Sequence, residues 1–224
     1  MSEEPPSIKV TLLGNPGVGK TCIISRYIDD VFNENNASTI GANYSEKIIK
    51  RGKKEYELNI WDTAGQEKFH SLGKHFYKDS YIVCFVYDIT SQESLDALKS
   101  IWYPDLQKFG EKYQILAVVG NKCDLFENDE LASEEQAKQF AKDINAFFIL
   151  TSAKNGDGIN KLFETLTDRF LSSEFASKYN EMMKDKGGNV VIKKEDDNKE
   201  EKKKKKILLK NYDYDYDYDL IELN

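Results

Sequence analysis

The sequence predicts an α/β protein with a six-stranded, mostly parallel sheet, one antiparallel edge strand and about five helices on both faces. Short apolar runs alternate with segments whose apolar residues recur at helical spacing, which is typical of a doubly wound sheet. Two β-type segments flank Gly52 and indicate a hairpin. A glycine-rich loop joins the first strand to the first helix. Ligands of such folds bind at the carboxyl ends of the strands, so we expect the functional residues there.

Six segments of apolar and β-branched residues give the strands. The first and the hairpin pair carry some polar residues, whereas the last three are nearly continuous apolar runs that suit central strands covered on both faces. In chain order the predicted strands are residues 8–13, 44–50, 56–61, 81–87, 115–119 and 146–150.

Four segments show one apolar face at helical spacing. These faces are Ile23, Ile24, Tyr27 and Ile28; Leu95, Leu98 and Trp102; Ala137, Phe140, Ala141 and Ile144; and Ile159, Leu162, Phe163, Leu166 and Phe170. Residues 90–93 and 133–136 fit the capping-box pattern, so we expect helices capped by Thr90 and Ser133. Pro104 should bend or interrupt the helix that contains Trp102.

The loop between the first strand and the first helix reads GNPGVGKT over residues 14–21. Its glycines let successive N–H groups face inward as a nest for phosphate oxygens, and the helix that follows directs its positive end to the same place. Lys20 adds a charge for the outer phosphates, and the Thr21 hydroxyl can bind Mg²⁺. A glycine-rich turn that matches by chance is the alternative, but the flanking strand and helix favour a nucleoside phosphate site.

The third strand ends in the string IWDTAGQE, residues 60–67. Asp62 at a strand end suits Mg²⁺ held through water, because this ion keeps much of its hydration shell. Gly65 could bring its N–H against a terminal phosphate, and Gln66 has the amide needed to orient an attacking water. Asp62 alone would more simply be a loop cap, so the prediction depends on the whole string.

Two further motifs end the fifth and sixth strands. Asn121, Lys122 and Asp124 form an NKxD motif, in which a carboxylate can accept both N–H groups of the guanine edge; adenine lacks that pair of donors. Residues 152–154, Ser-Ala-Lys, follow the sixth strand, where the Ala153 N–H could reach the carbonyl of the base. Alone this segment could equally be a helix-start turn. The three strand-end motifs together predict guanine nucleotide binding.

Composition limits the remaining possibilities. The formal charge of −7 over 224 residues argues against a general nucleic-acid binder, which needs a positive face. The three cysteines, Cys22, Cys84 and Cys123, show no metal-binding spacing and indicate a reduced, intracellular protein. We find neither a signal peptide nor an apolar run long enough to span a bilayer. We expect a disordered N-terminus over residues 1–7, one domain over 8–172 and a largely disordered tail over 173–224.

As a set, residues 14–21, Thr39, residues 62–66, 121–124 and 152–154 resemble the Ras superfamily of small GTPases over about residues 8–172. The implied fold is the P-loop NTPase G domain. The Thr39-Ile40-Gly41 run, the Trp before Asp62, residues 69–72 and residues 76–77 resemble the Rab branch. Gly41-Ala42 and residues 70–72 are similar to Rabs of early endosomes.

The resemblance implies roles for individual residues. Thr39 would complete the Mg²⁺ shell and contact the γ-phosphate; Phe32 would lie across the guanine face, or else pack on its own helix. The implied nucleotide contacts are Asn15, Gly17, Val18, Gly19, Lys20, Thr21, Cys22, Phe32, Thr39, Gly65, Asn121, Lys122, Asp124, Ser152, Ala153 and Lys154, with Thr21, Thr39 and Asp62 at the metal and Gln66 and Lys20 in catalysis. The implied effector surface is Ile40, Gly41, Tyr44, Trp61 and Tyr77, although a plain core role for Trp61 is almost as well supported.

The implied activity is a monomeric, Mg²⁺-dependent GTP switch that regulates vesicle traffic in the cytoplasm, on endosomes or another endomembrane. Its implied partners are an exchange factor, a GTPase-activating protein and effectors. Neither Arg26 nor Arg51 stands out as a built-in catalytic arginine, so slow intrinsic turnover is expected. GTP hydrolysis would release both switch segments.

Two features depart from the family pattern. Pro16 replaces a small residue in the glycine-rich loop; it removes one N–H, and we expect hydrolysis to persist. The tail carries lysines at 202–206 and a Tyr-Asp repeat at 212–219, but no cysteine follows Cys123, so no prenylation motif is seen. The lysines could touch an anionic membrane, although a solvated charge run beside Glu200 and Glu201 is the better reading. Stable membrane anchoring is therefore not expected from these residues.

Two other functions remain as alternatives. A GTP-binding adaptor with little hydrolysis is suggested by Pro16 and the missing prenylation motif and opposed by Thr39 and Gln66; a non-lipidated Rab-like protein that acts off membranes belongs to the same alternative. A P-loop kinase of small metabolites is disfavoured by the guanine motif and by the lack of a lid segment.

Overall fold

A computed structural model of the chain describes residues 5–34, 39, 42–63, 77–110, 114–126, 132–173 and 176. All of them fall within one compact unit that spans Met1–Lys186. Apart from Ser173 and Ala176, the predicted tail lies outside the described residues. The domain boundary at residue 172 therefore stays a prediction.

The sheet has six strands in the order β2-β3-β1-β4-β5-β6, which confirms the predicted fold class. The β2–β3 pair is antiparallel and every other pair is parallel, so the hairpin supplies the one antiparallel edge strand among the described residues. The strands are β1 Ser7–Leu13, β2 Ala42–Arg51, β3 Lys54–Thr63, β4 Ile82–Asp88, β5 Ile115–Asn121 and β6 Phe147–Thr151.

The sheet separates two apolar cores, because successive side chains of a strand point to opposite faces. In β4, Cys84 and Val86 contribute to one core, and Phe85 and Tyr87 contribute to the other. Every residue of β4 is buried, as its continuous apolar run predicted. The central strands are thus covered on both sides.

Five α-helices have their bounds within the described residues. Helices α1 and α5 cover the first core, whereas α2, α3 and α4 cover the second. All of the predicted apolar faces are buried or packed against a core. The helices are α1 Lys20–Asp29, α2 Gln92–Ala97, α3 Tyr103–Phe109, α4 Glu134–Asp143 and α5 Ile159–Leu171. Across the described residues, no helix combines the length and apolar character that crossing a bilayer requires.

One predicted helix cap is wrong and the other is half right. Ser91, not Thr90, caps α2 and accepts a hydrogen bond from the Ser94 N–H. The Thr90 hydroxyl instead donates to Oδ1 of Asp88 at 2.8 Å. Serine and threonine are adjacent here and both suit a cap, so the predicted cap lies one residue before the observed one.

Ser133 caps α4 as predicted, and its hydroxyl accepts from the Gln136 N–H. The reciprocal bond of a capping box comes from a different residue, because the Ser133 N–H donates to Oε1 of Gln92 at 2.9 Å. A side chain from α2 therefore replaces the local glutamine, and the two helix starts are joined.

The helix that contains Trp102 changes its winding before Pro104, as the proline predicted. Leu98–Trp102 forms a π-helical turn between α2 and α3, and the Tyr103 N–H bonds to the Leu98 carbonyl. Pro104 lies in the first turn of α3, where its missing N–H costs little. The chain thus continues as a helix in a shifted register.

We expect the two hairpin isoleucines to respond differently to truncation. Ile60 in β3 is fully buried and Ile48 in β2 is 59% exposed. Ile60→Ala should lower the free energy of unfolding by about 2–5 kcal/mol, through lost burial and the cavity left behind. Ile48→Ala should change it by less than about 1 kcal/mol, since little apolar area is lost. Urea unfolding of both variants checks this, and equal losses would contradict the described burial.

Candidate functional site

A cavity of about 460 Å³ lies at the carboxyl ends of the strands. Its volume is in the range of small-molecule sites. Most of the predicted nucleotide contacts line it, and so do four residues that the sequence did not single out. The predicted ones are Gly17, Gly19, Lys20, Thr21, Cys22, Phe32, Thr39, Asn121, Lys122, Asp124, Ala153 and Lys154. The others are Asn33, Glu34, Thr63 and Leu125, each next to or near a predicted residue in the chain. Pro16, the departure from the family pattern in the glycine-rich loop, also lines the cavity.

Two of the three glycines in the glycine-rich loop lie too close to neighbouring atoms to carry a side chain. Gly14 has φ of 147°, and a Cβ there would lie 2.1 Å from the Val86 carbonyl oxygen. Gly19 has φ of 97°, and its Cβ would lie 2.3 Å from Nδ2 of Asn121. The loop therefore packs against the ends of β4 and β5, and larger residues would push it away from them.

Lys20 is a buried cation inside this loop. It is 5% exposed, and its Nζ donates to the carbonyl oxygens of Gly14 at 2.7 Å and Asn15 at 3.0 Å. Burial lowers the pKa of Lys20 to about 8, and the Asp62 charge partly opposes that shift. The ammonium is thus held in place by the loop that surrounds it.

Three side-chain oxygens from separate segments meet beside Lys20. The Thr21 hydroxyl donates to Oδ2 of Asp62 at 2.6 Å and lies 2.7 Å from the Thr39 hydroxyl oxygen. The Thr39 hydroxyl also donates to Oδ2 of Asp62, at 3.3 Å. Burial raises the pKa of Asp62, and hydrogen bonds from both threonines and the Lys20 charge oppose the rise. This cluster joins α1, residue 39 and β3.

Asn121 at the end of β5 connects three loops. Its Nδ2 donates to the Val18 carbonyl oxygen at 2.9 Å, and its Oδ1 accepts from the Thr151 hydroxyl at 3.2 Å and from the Ala153 N–H at 3.3 Å. The side chain is buried. It fixes the glycine-rich loop against the segment after β6.

The two other NKxD residues are also held by side chains. The Ser152 hydroxyl donates to Oδ1 of Asp124 at 2.5 Å, which orients the carboxylate that lines the cavity. Lys122 has φ of 68° and its Nζ lies 2.5 Å from Oδ2 of Asp88. The Lys122 stem therefore runs past the cavity while its charge is paired.

Arg26 supports the site without lining it, a role that no sequence pattern indicates. Its Nε donates to the Ala153 carbonyl oxygen at 2.9 Å and its Nη2 to that of Lys154 at 2.8 Å. Its Nη1 donates to the carbonyl oxygen and Oδ1 of Asp30, both at 2.8 Å. One guanidinium thus joins the end of α1 to the segment after β6. These segments are far apart in the sequence, so no local pattern predicts the contact.

The other predicted site residues differ in where they lie relative to the cavity. Asn15, Val18 and Ser152 do not line the cavity; Val18 and Ser152 are buried beside it. Phe32 lines the cavity and also packs against the first core, so both interpretations of this ring agree with its position. Nζ of Lys154 lies 3.2 Å from Oε1 of Glu34. Gly65, Gln66, Ile40 and Gly41 lie outside the described residues.

The three aromatic residues of the implied effector surface differ in exposure. Tyr44 and Trp61 are half-buried neighbours with ring centroids 5.3 Å apart. Tyr77 is only 3% exposed and stacks on Phe109, with ring centroids 6.3 Å apart. In this structure Tyr77 therefore adds almost no exposed area to the surface formed by Tyr44 and Trp61.

Comparison with known proteins agrees with this geometry. The sequence profile of the Ras family matches residues 9–183. The chain belongs to the Ras family. It is 42% identical to Ras-related protein Rab-31 of Rattus norvegicus over 160 residues, 71% of this chain and 81% of the relative. It is 41% identical to human Rab-22A over 167 residues, 75% and 85% of the two chains, and 36% identical to human Rab-30 over 164 residues, 73% and 80%.

These relatives confirm the Rab-type interpretation of the sequence. The chain is a small GTPase of the Rab type, which binds and hydrolyses GTP and regulates vesicle traffic. The Ras-family match covers the glycine-rich loop, the Asp62 string and both guanine motifs.

Arg26→Lys should speed the release of bound GDP about tenfold, because one compact ammonium cannot replace the three guanidinium nitrogens that bond Ala153, Lys154 and Asp30. The loss of these bonds frees the Ala153–Lys154 backbone at the cavity. Arg51→Lys is the matched control: Arg51 pairs with Asp168 at 2.7 Å and does not line the cavity. GDP dissociation followed by fluorescence measures both variants, and equal rates for the two would contradict the role given to Arg26.

Proposed function

We propose that this cavity holds a guanine nucleotide together with Mg²⁺ and that its loops sense the γ-phosphate. The observation that carries the proposal is the buried polar cluster of Lys20, Thr21, Thr39 and Asp62. Such a cluster opposes folding unless a ligand uses it, since buried charges are costly. Position and charge neutralisation are also what phosphoryl transfer requires of a protein.

The residues of this cluster fit a magnesium ion. Oδ1 of Asp62 is one of two buried side-chain atoms in the described part of the chain that have no hydrogen-bond partner. Threonine and carboxylate oxygens are the hard donors that Mg²⁺ prefers. We assign the ion to the hydroxyls of Thr21 and Thr39, with Asp62 acting through water. When bound, the ion neutralises charge on the phosphate oxygens.

The glycine-rich loop and Lys20 would bind the phosphates. The N–H groups around Gly17 and Gly19, and the start of α1, would supply partial positive charge. The ammonium of Lys20 adds a full charge where the β–γ bridge breaks. Water attacks the γ-phosphorus, the bond to the β-phosphate oxygen breaks, and GDP and phosphate are formed. Gln66 would orient that water, by resemblance to the family.

Base recognition is assigned to the two guanine motifs. Asp124, oriented by Ser152, would accept the two N–H groups of the guanine edge, and the Ala153 N–H would donate to its carbonyl. Phe32 and the stems of Lys122 and Lys154 would cover the faces of the ring. Adenine would leave these buried polar groups unpaired, which is how the site would reject it.

The switch would act through partners. We assign effector binding to Ile40, Gly41, Tyr44 and Trp61, with Tyr77 contributing only where the segment around it rearranges. An exchange factor and a GTPase-activating protein would set the nucleotide state of a monomer. The proposed place of action is the cytoplasmic surface of endosomes or another endomembrane, supported by the similarity of Gly41-Ala42 and residues 70–72 to Rabs of early endosomes. Residues 8–172 would form the G domain and 173–224 its tail.

Asp124→Asn tests the base assignment. An amide donates where the carboxylate accepted, so GTP affinity should fall at least a hundredfold, while xanthosine triphosphate, which offers a carbonyl there, should gain affinity. Calorimetry with GTP, ATP and xanthosine triphosphate measures the exchange of preference. Wild-type protein that binds ATP as tightly as GTP would overturn the proposed function, and so would binding that is indifferent to Mg²⁺ removal.

Single-turnover phosphate release separates the switch from a GTP-binding adaptor. Wild-type protein should hydrolyse bound GTP within about tenfold of the Pro16→Ser rate, because Pro16 is exposed at the loop and only its own N–H is missing. Gln66→Leu should slow release at least tenfold, since the attacking water loses its orienting group. Undetectable wild-type turnover beside a fast serine variant would favour the adaptor.

A further inference from the structure

An indole from the second core reaches the glycine-rich loop. Trp102 is 8% exposed, and its Nε1 donates to Oδ1 of Asn15 at 2.9 Å, across 87 positions of sequence. Asn15 is half-buried and its side chain does not line the cavity. The bond therefore holds the loop from behind, on the side away from the nucleotide.

The π-helical turn Leu98–Trp102 brings the indole to this place. An extra residue in the turn rotates the side chains that follow it, and such turns often occur at functional sites. Trp102 is the last residue of the turn, directly before α3. The helix is therefore irregularly wound at Trp102, the residue whose side chain contacts the loop.

The loop needs such a support at Asn15. Asn15 precedes Pro16, so its backbone is restricted to extended conformations. Its carbonyl oxygen accepts a hydrogen bond from Nζ of Lys20 at 3.0 Å. A fixed Asn15 side chain therefore fixes one of the two carbonyls that hold the Lys20 ammonium.

We propose that Trp102 is a positioning residue of the phosphate site and acts only through Asn15. Its N–H holds the glycine-rich loop in the form that receives the β- and γ-phosphates, and it touches neither the base nor the phosphates. This inference rests on the proposed function, because it requires the loop to contact phosphate.

The test is a double-mutant cycle on the full chain with Trp102→Phe, Asn15→Ala and both together. Phenylalanine keeps an aromatic ring in the core but cannot donate. Each single variant should release GDP about three- to tenfold faster, as expected for one lost hydrogen bond. The double variant should be no faster than the faster single variant, because both changes remove the same bond. Rate increases that multiply, or a Trp102→Phe rate equal to wild type, would overturn the proposal.

Affinities for GDP and GMP separate this inference from the function beneath it. Wild-type protein that binds both equally would refute the phosphate site itself. If GDP binds more tightly, Trp102→Phe should weaken GDP and spare GMP, which lacks the β-phosphate. An equal loss for both would mean that the indole only supports the core. Tyr103→Phe, the neighbouring aromatic residue outside the site, is the control and should leave both affinities unchanged.

A fluorescence experiment requires no substitution of Trp102, so it tests the proposal even if the Trp102→Phe protein does not fold. With Trp61→Phe as the background, emission reports Trp102 alone, since the chain has two tryptophans. Asn15→Ala in this background should shift the emission maximum, because the indole loses its acceptor. An unchanged spectrum would overturn the proposal.

Discussion

The pocket depends on one buried amide, the side chain of Asn121. It binds the backbone of the glycine-rich loop on one side and the segment after β6 on the other. A Cβ on Gly19 would meet this amide at 2.3 Å, so the asparagine requires a glycine at position 19. Loops at the ends of parallel strands have no ladder partners of their own. Asn121 supplies those partners, and the loops consequently form one cavity instead of three separate turns.

Strands and helices followed from the sequence wherever burial was regular. The residues of β4 are all apolar except its last, and the structure buries every one of them. Helix ends were less certain, because Thr90 and Ser91 offer the same hydroxyl one position apart. Ser133 shows the same limit in another form, since the reciprocal bond of its cap comes from Gln92 on a different helix. Local patterns fix which face is buried and leave the partners of polar groups undetermined.

The same limit applies to the candidate site, where local motifs could be predicted and distant contacts could not. Candidate site residues such as Lys20, at the start of α1, and Asp62, near the end of β3, could be predicted because their motifs are contiguous. Arg26 and Trp102 could not, because their contacts cross 127 and 87 positions and rely on a guanidinium and an indole in ordinary helical surroundings. The π-helical turn adds to the difficulty, since Leu98 and Trp102 read as an unbroken helical face. Supporting contacts of this kind can be identified only from the three-dimensional positions of the loops and helices.

Lys20 and Asp62 show why the fold carries polar groups that it does not need for stability. Burial lowers the pKa of Lys20 and raises the pKa of Asp62, which favours the neutral form of each group. Each charge therefore opposes folding in the absence of a ligand. Their mutual attraction offsets only part of this, and Oδ1 of Asp62 still has no partner. A core built for stability alone would replace these residues with apolar ones. In the proposed function, an anion with its counter-cation would remove the penalty on both at once, and nucleotide binding would then stabilise the fold through these same residues.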